Sequence, residues 1–303
     1  MSLDLGAAAA KPDAEPARIT PPAWEATVDL AGLIDELEGE LKGPAPRAVR
    51  TPFHGLNAHL GGGFYPGELI GLGARPGMGK SAMMAVTATD AARDGERVLV
   101  VSAEMSRLAL VRRLVAREAS VDSRLIRKHD LMATELARLR RAFPRLRALP
   151  LLINDRAWTI PEIVEVLTRA PQRVTFLAVD YVQFVTPAQR IESQRMKVEL
   201  VSAGLKAIAK DFNIPVLALS AVKCLGRDED GNDNEPDLDA FRESGQIDHD
   251  VDVALFLHRP HREDKTLVRC FIRKARDGAE GFVDLVFTPE FLQLEEALTG
   301  GVR

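Results

Sequence analysis

Glu68-Leu69-Ile70-Gly71-Leu72-Gly73-Ala74-Arg75-Pro76-Gly77-Met78-Gly79-Lys80-Ser81 runs an apolar segment into a glycine-rich turn and ends on a lysine–serine pair. The apolar half reads as a short buried strand, and a helix is predicted to start near Lys80. Between them, Ala74, Arg75, Pro76, Gly77, Met78, Gly79, Lys80 and Ser81 fit the phosphate-loop pattern, with Ala in the first position instead of Gly. Such a loop wraps phosphates in successive backbone N–H groups. Gly79 permits a close approach, and the helix N-terminus adds its positive end. Lys80 is then placed to reach the β and γ phosphates of ATP, and Ser81 to hold Mg²⁺.

Moving outward, apolar segments alternate with helical ones. Strands are predicted over 97–102, 150–154, 174–180 and 215–220, and helices over 108–119, 131–143, 160–169 and 197–212. Continuous apolar strands between helices specify an α/β fold with a largely parallel, twisted sheet covered by helices on both faces. Segments 251–257, 267–273 and 282–287, joined by short turns, predict an antiparallel extension at one edge.

Hydrolysis of a nucleotide needs more than a phosphate loop. Asp180 closes an apolar strand and suits the carboxylate that holds the Mg²⁺ shell. Glu104 lies just past the strand ending at Ser102, on the sheet edge where ligands bind in such folds, and suits the general base. Lys274 and Arg276 alternate at the end of a strand before Asp277-Gly278. If that strand lies at the far edge of the sheet, they project away from their own loop and reach a neighbour's nucleotide. The alternative is a solvated basic hairpin tip.

Composition narrows the classes. The 303 residues are 46% hydrophobic and 28% charged, ordinary for a globular protein. No apolar run is long enough for a transmembrane helix, and no basic start followed by an apolar stretch suggests a secretory signal. Two cysteines, Cys224 and Cys270, cannot build a disulfide framework or a four-ligand zinc site, which fits a reducing cytoplasm. His129, His249, His258 and His261 lack ligand spacing with cysteine, so no metal beyond Mg²⁺ is expected. Aromatics at 5% argue against a surface of base-stacking rings, and a net charge of −4 means that nucleic acid must be met by local basic patches.

Charge is unevenly spread. Residues 107–147 carry twelve basic and four acidic side chains, a pattern that marks a solvated helix face or a DNA or partner surface. The stretch from Asp228 to Asp239 holds seven acids. Residues 1–25 mix Ala, Pro and charge without period and read as a disordered arm. Residues 28–42 then place Leu30, Leu33, Ile34, Leu37 and Leu41 at helical spacing before Gly43-Pro44. That helix either folds back on its own domain or docks on a neighbouring subunit.

Five blocks in order resemble the C-terminal ATPase domain of DnaB-type replicative DNA helicases, a RecA-like phosphate-loop fold. They are the loop 74–81, Ser102-Ala103-Glu104-Met105-Ser106, Val179-Asp180-Tyr181-Val182-Gln183, Arg242-Glu243-Ser244-Gly245-Gln246-Ile247 and Lys274-Ala275-Arg276-Asp277-Gly278. The resemblance runs from about residue 51 to 294. It implies a ring, usually of six subunits, with ATP at each interface and single-stranded DNA in the pore. It also implies that Lys274 and Arg276 act on the neighbour's nucleotide. Arg242, Glu243 and Gly245 would belong to a loop that tracks the DNA backbone, and residues 26–50 would be the linker helix and linker, docked on the adjacent subunit.

The chain departs from the family pattern in three places. Only about 25 residues precede the linker helix where the family has a helical N-terminal domain, so primase binding loses its usual support. Ala221 stands where the family carries a Gln thought to sense the γ-phosphate, and the family's Arg three positions further on is missing, with Lys223 next to that position as a partial substitute. The acidic stretch 228–239 would repel DNA at low salt unless it swings outside the ring. The expected function is therefore an ATP-driven helicase or translocase of reduced domain content. The alternatives are a DnaB-derived ATPase serving as partner, loader or regulator in replication or a mobile element, and a RecA-like ATPase of recombination or signalling.

Overall fold

Strand positions alternate between two cores, which is why the central strands read as uninterrupted apolar runs. The computed structural model describes residues 28–180, 182–187, 191, 193–223, 225–227, 232–241, 247–261 and 263–297. The disordered arm expected over 1–25 lies outside them. The chain divides into two compact units, residues 1–45 and 46–303. In the first, helix α1 (Leu30–Lys42) starts where the Asp29 carboxylate accepts a hydrogen bond from the Gly32 N–H at 2.8 Å. None of its residues is buried.

The second unit opens with the isolated bridge Val49–Phe64 and helix α2 (His54–His59). There follow β1 (Leu69–Ala74), α3 (Lys80–Arg93), β2 (Val98–Ser102), three helices α4 (Arg107–Ala119), α5 (Ser123–Lys128) and α6 (Ala133–Arg147), and β3 (Leu151–Asn154). Next come α7 (Ile160–Arg169), β4 (Phe176–Asp180), α8 (Gln194–Phe212), β5 (Val216–Ala221), a 3₁₀ turn at Leu238–Ala240 and the short α9 (Ile247–Asp250). Strands β6 (Val253–His258), β7 (Leu267–Ala275), β8 (Gly281–Thr288) and β9 (Gln293–Glu296) complete it. The single sheet has the order β3-β2-β4-β5-β1-β6-β7-β8-β9. Pairing is parallel from β3 to β6 and antiparallel from β6 to β9.

Ile70, Leu72, Val98, Val100, Phe176 and Ala178 face one core, which α3 covers with Met83, Met84 and Val86. Leu69, Leu99, Val101, Leu177 and Val179 face the other, covered by Ile163 and Leu167 of α7 and Val201, Leu205 and Ile208 of α8. Helices thus lie on both faces of a mostly parallel sheet. Among the described residues, no helix is long and apolar enough to cross a membrane.

Two expectations change. The segment 267–273 reads in sequence as a possible far edge of the sheet, but β7 lies inside it, between β6 and β8, and β9 forms the edge. Apolar alternation specifies a strand's two faces but not its neighbours. β9 itself has no sequence signal, because Gln293-Leu294-Glu295-Glu296 carries one apolar residue and becomes a strand only by pairing with β8.

Candidate functional site

The turn from β1 into α3 is held by its glycines. Gly77 and Gly79 take φ values of 82° and 91°, in the left-handed region that L side chains rarely adopt. Gly79 is the N-cap of α3, and its carbonyl accepts from the Met83 N–H at 2.8 Å. The turn opens onto a cleft of about 430 Å³ lined by Ala74, Arg75, Pro76, Gly77, Gly79, Lys80 and Ser81. Met78, the remaining loop residue, packs its side chain against the apolar core.

Two further elements end beside the loop. Asp180 ends β4 in register with Ser102, the last residue of β2. The turn after β2 is shaped by Ser102, whose hydroxyl donates to the Met105 carbonyl at 2.8 Å, and by the Ala103 N–H, which donates to the Asp180 carbonyl at 2.7 Å. That turn puts Glu104 and Met105 on the cleft wall. Burial pushes the Lys80 ammonium below its usual range, with Asp180 and Glu104 opposing the shift. Burial likewise pushes the Asp180 carboxyl up, against the pull of Lys80, Ser81 and Arg113. Both Asp180 oxygens are buried without a hydrogen bond of full geometry. A buried, under-satisfied carboxylate facing a hydroxyl and an ammonium is a site that a cation completes.

Sequence reasoning misses part of this cleft. Arg113, in sequence only one charge of the basic segment, lies on the lining and acts on Asp180. Phe287, Pro289 and Leu292, from the β8–β9 hairpin, form the apolar wall. Leu292 holds φ 53°, an uncommon backbone for a branched residue. No motif in one dimension flags any of them, since the hairpin reaches the loop only through the sheet order.

Ala221 also lines the cleft. Beside it the buried Gln183 amide donates to the Ser220 hydroxyl at 2.9 Å and accepts from the Ala221 N–H at 3.3 Å, tying the turn after β4 to the end of β5. Lys223 gives its ammonium to Asp239 at 2.6 Å. The described acids of the 228–239 stretch are engaged at home: Asp233 pairs with Arg75, Glu235 with Arg273 at 2.9 Å, and Asp237 accepts from the Leu238 N–H. This internal pairing lowers the repulsion that seven free carboxylates would exert.

Lys274 and Arg276 lie elsewhere. Ala74, at the phosphate loop, is in register with Leu257 of β6, whereas Ala275 pairs with Val253 at the other end of that strand. At about 3.3 Å per residue, this sets the pair roughly 13 Å from the loop along the strands, at their opposite end. Lys274 donates to the Asp248 carbonyl at 2.7 Å and Arg276 to the Asp252 carboxylate at 3.1 Å. Arg242, Glu243 and Gly245 lie outside the described residues. Their flanks are anchored: Phe241 is buried and bridges to Val222, and Ile247 is buried at the start of α9.

A parallel sheet carrying a phosphate loop, with carboxylates from adjacent strands and an antiparallel extension, defines a RecA-like phosphate-loop domain. The chain belongs to the family described as DnaB-like helicase C-terminal domain, whose profile matches residues 48–296. It is 34% identical over 247 residues to the replicative DNA helicase DnaB of Treponema pallidum (strain Nichols), covering 78% of this chain and 54% of that protein. To the DnaB of Leifsonia xyli subsp. xyli it is 33% identical over 264 residues, covering 84% and 57%. The chain thus spans little more than half the length of these relatives. Among solved structures, a DnaB-like replicative helicase described with its primase interactions superposes with a TM-score of 0.77 at 26% identity, covering 90% of this chain and 69% of that one.

Proposed function

We propose that residues 51–303 form an ATP-hydrolysing domain that works at the interfaces of a homo-oligomeric ring, hexameric as in the resembled family. The ring would move on single-stranded DNA during replication in the cytoplasm. One observation carries the reading. Loop and Glu104 line one cleft with Asp180 buried beside Lys80 and Ser81, while Lys274 and Arg276, the cations assigned to the γ-phosphate, sit at the opposite end of the strands.

In this reading Ala74 to Ser81 cradle the phosphates and Lys80 neutralises them. Ser81 and Asp180 would hold Mg²⁺, which when bound with the nucleotide offsets charge on the phosphate oxygens. Glu104 orients the attacking water and accepts its proton. Lys274 and Arg276 of one subunit stabilise the charge that develops on the γ-phosphate of the next. Arg113, on the cleft lining, adds a smaller pull to those of Lys80 and Ser81 toward the ionised form of Asp180. Residues 26–50 serve as the linker helix docked on an adjacent subunit, and Arg242, Glu243 and Gly245 track the DNA backbone, Arg242 by charge and Gly245 by its amide.

Ala221 on the cleft wall favours a second reading. A methyl group cannot hydrogen-bond a γ-phosphate. Hydrolysis would then be uncoupled from DNA movement, and the protein would be a DnaB-derived partner, loader or regulator in replication or a mobile element. The test is ATP turnover against single-stranded DNA at rising salt. A translocase gives stimulation that falls steeply as salt rises, because phosphate contacts release counterions. Turnover indifferent to DNA at every salt supports the second reading and contradicts the first.

A further inference from the structure

Asp252 sits just before β6 and is almost fully buried. Its carboxylate accepts from three directions. One oxygen takes the Leu69 N–H, at the start of β1, at 2.8 Å, together with the Lys206 ammonium of α8. The other takes the Arg276 guanidinium at 3.1 Å. Backbone bonds reinforce the joint: the Asp252 N–H donates to the Leu69 carbonyl at 2.9 Å, and the Arg276 N–H to the Asp252 carbonyl at 3.0 Å. Lys206 also donates to the Gly67 carbonyl at 3.0 Å.

The exposures of the two partners differ sharply. The Asp252 side chain is 6% exposed and that of Arg276 is 69% exposed. A guanidinium carries five N–H donors in a planar fork, and Asp252 engages it through Nη1 alone. The rest of the fork is open to solvent beyond the end of β7. An arginine left to itself there would sample many rotamers, and each excursion removes it from a phosphate that must be met within fractions of an ångström.

We propose that Asp252 is the positioning residue for Arg276, anchoring one corner of the guanidinium so that the remaining donors are aimed at the neighbouring subunit's nucleotide. This rests on the reading of Arg276 as acting across the interface. Because the same carboxylate holds the first N–H of β1, whose far end is the phosphate loop, the anchor also fixes Arg276 to the strand that carries its own subunit's site.

The experiment compares Asp252→Asn, Arg276→Ala and the double variant in the full chain. It reads ATP affinity, kcat and thermal midpoint, with each variant also mixed with Lys80→Ala subunits. Asn keeps an oxygen for the Leu69 N–H and loses the charge that holds Arg276. The expected result is unchanged ATP affinity and a kcat lowered roughly 10- to 100-fold. The double variant should be no slower than Arg276→Ala, and activity should return on mixing with Lys80→Ala subunits, whose Arg276 and Asp252 are intact. Should Asp252→Asn melt below the assay temperature, Asp252→Glu makes the same comparison with the charge displaced by one methylene. Wild-type kcat in Asp252→Asn beside a slow Arg276→Ala overturns the proposal alone. So does a double variant slower than either single one, or a slow Asp252→Asn that mixing does not rescue, because Asp252 would then act through its own site or through general stability. An Arg276→Ala variant that hydrolyses normally overturns the underlying reading along with it.

Discussion

Replacing Gly73 by Ala perturbs the strand that delivers the phosphate loop. A Cβ at Gly73 would lie 2.6 and 2.7 Å from Cδ1 and Cε1 of Phe256 and 2.9 Å from Cγ2 of Val222. Comfortable carbon contacts are about 3.5–4.0 Å, so the ring must retreat by close to 1 Å. It has little room to do so: Phe256 is fully buried and its centroid lies 4.6 Å from that of Phe241. Overpacking of this kind costs about 1–3 kcal/mol, which for a domain of this size lowers the melting temperature by roughly 3–10 °C. Circular-dichroism melting measures it, with Phe256→Leu as the diagnostic partner. Alone, Phe256→Leu leaves a cavity and destabilises; with Gly73→Ala it removes the ring atom Cε1 and lets the remaining Cδ groups rotate away, leaving the Val222 contact, so the two losses should fail to add. A Gly73→Ala melt that stays at the parent's midpoint, or full additivity in the double variant, refutes the steric account.

Lys80→Ala should abolish ATP hydrolysis and weaken nucleotide binding, read by turnover and by titration with a fluorescent nucleotide. Glu104→Gln should bind normally and lose turnover, because the amide fills the space and cannot accept a proton; equal turnover would remove Glu104 from the mechanism. His258 is buried, and burial pushes its imidazole below the ordinary value of about 6.5. The unfolded chain therefore binds the extra proton first. His258 costs nothing above that value and lowers stability as pH falls from there toward the folded one. Urea midpoints between about pH 8 and 5 should drop more steeply in the parent than in His258→Gln; parallel profiles would contradict this.

Much of this architecture is legible in one dimension because local chemistry and tertiary placement agree. Leu69, Leu99 and Leu177 face one core and Ile70, Val98 and Phe176 the other, so burial on both sides leaves continuous apolar runs. The span 160–169 is bounded as predicted, since Thr159 and Glu162 form a capping box at its start. The positions of loop 74–81 after β1, of Glu104 after β2 and of Asp180 at the end of β4 follow from the order of the apolar strands. What escapes is whatever the sheet order creates. Nothing near Arg113 marks it as facing Asp180, and nothing near Pro289 or Leu292 announces that the last hairpin walls the cleft. The Asp252 joint is likewise invisible, because Leu69, Lys206 and Arg276 meet only after β1, α8 and β7 have packed.

The central claim is that catalysis is shared between a loop on one subunit and cations on another. It is tested most directly by mixing two inactive variants. Arg276→Ala subunits keep a sound loop and lack the arginine, and they should bind ATP normally while hydrolysing it about 10³-fold more slowly. Lys80→Ala subunits keep the arginine and lack a working loop. Mixed rings contain junctions where an intact loop meets an intact Arg276, so a shared site predicts that ATP turnover returns, to a maximum at intermediate mixing ratios. If Arg276 serves its own subunit, every subunit in the mixture carries a defect in its own site, and turnover stays at the level of the separate variants at every ratio.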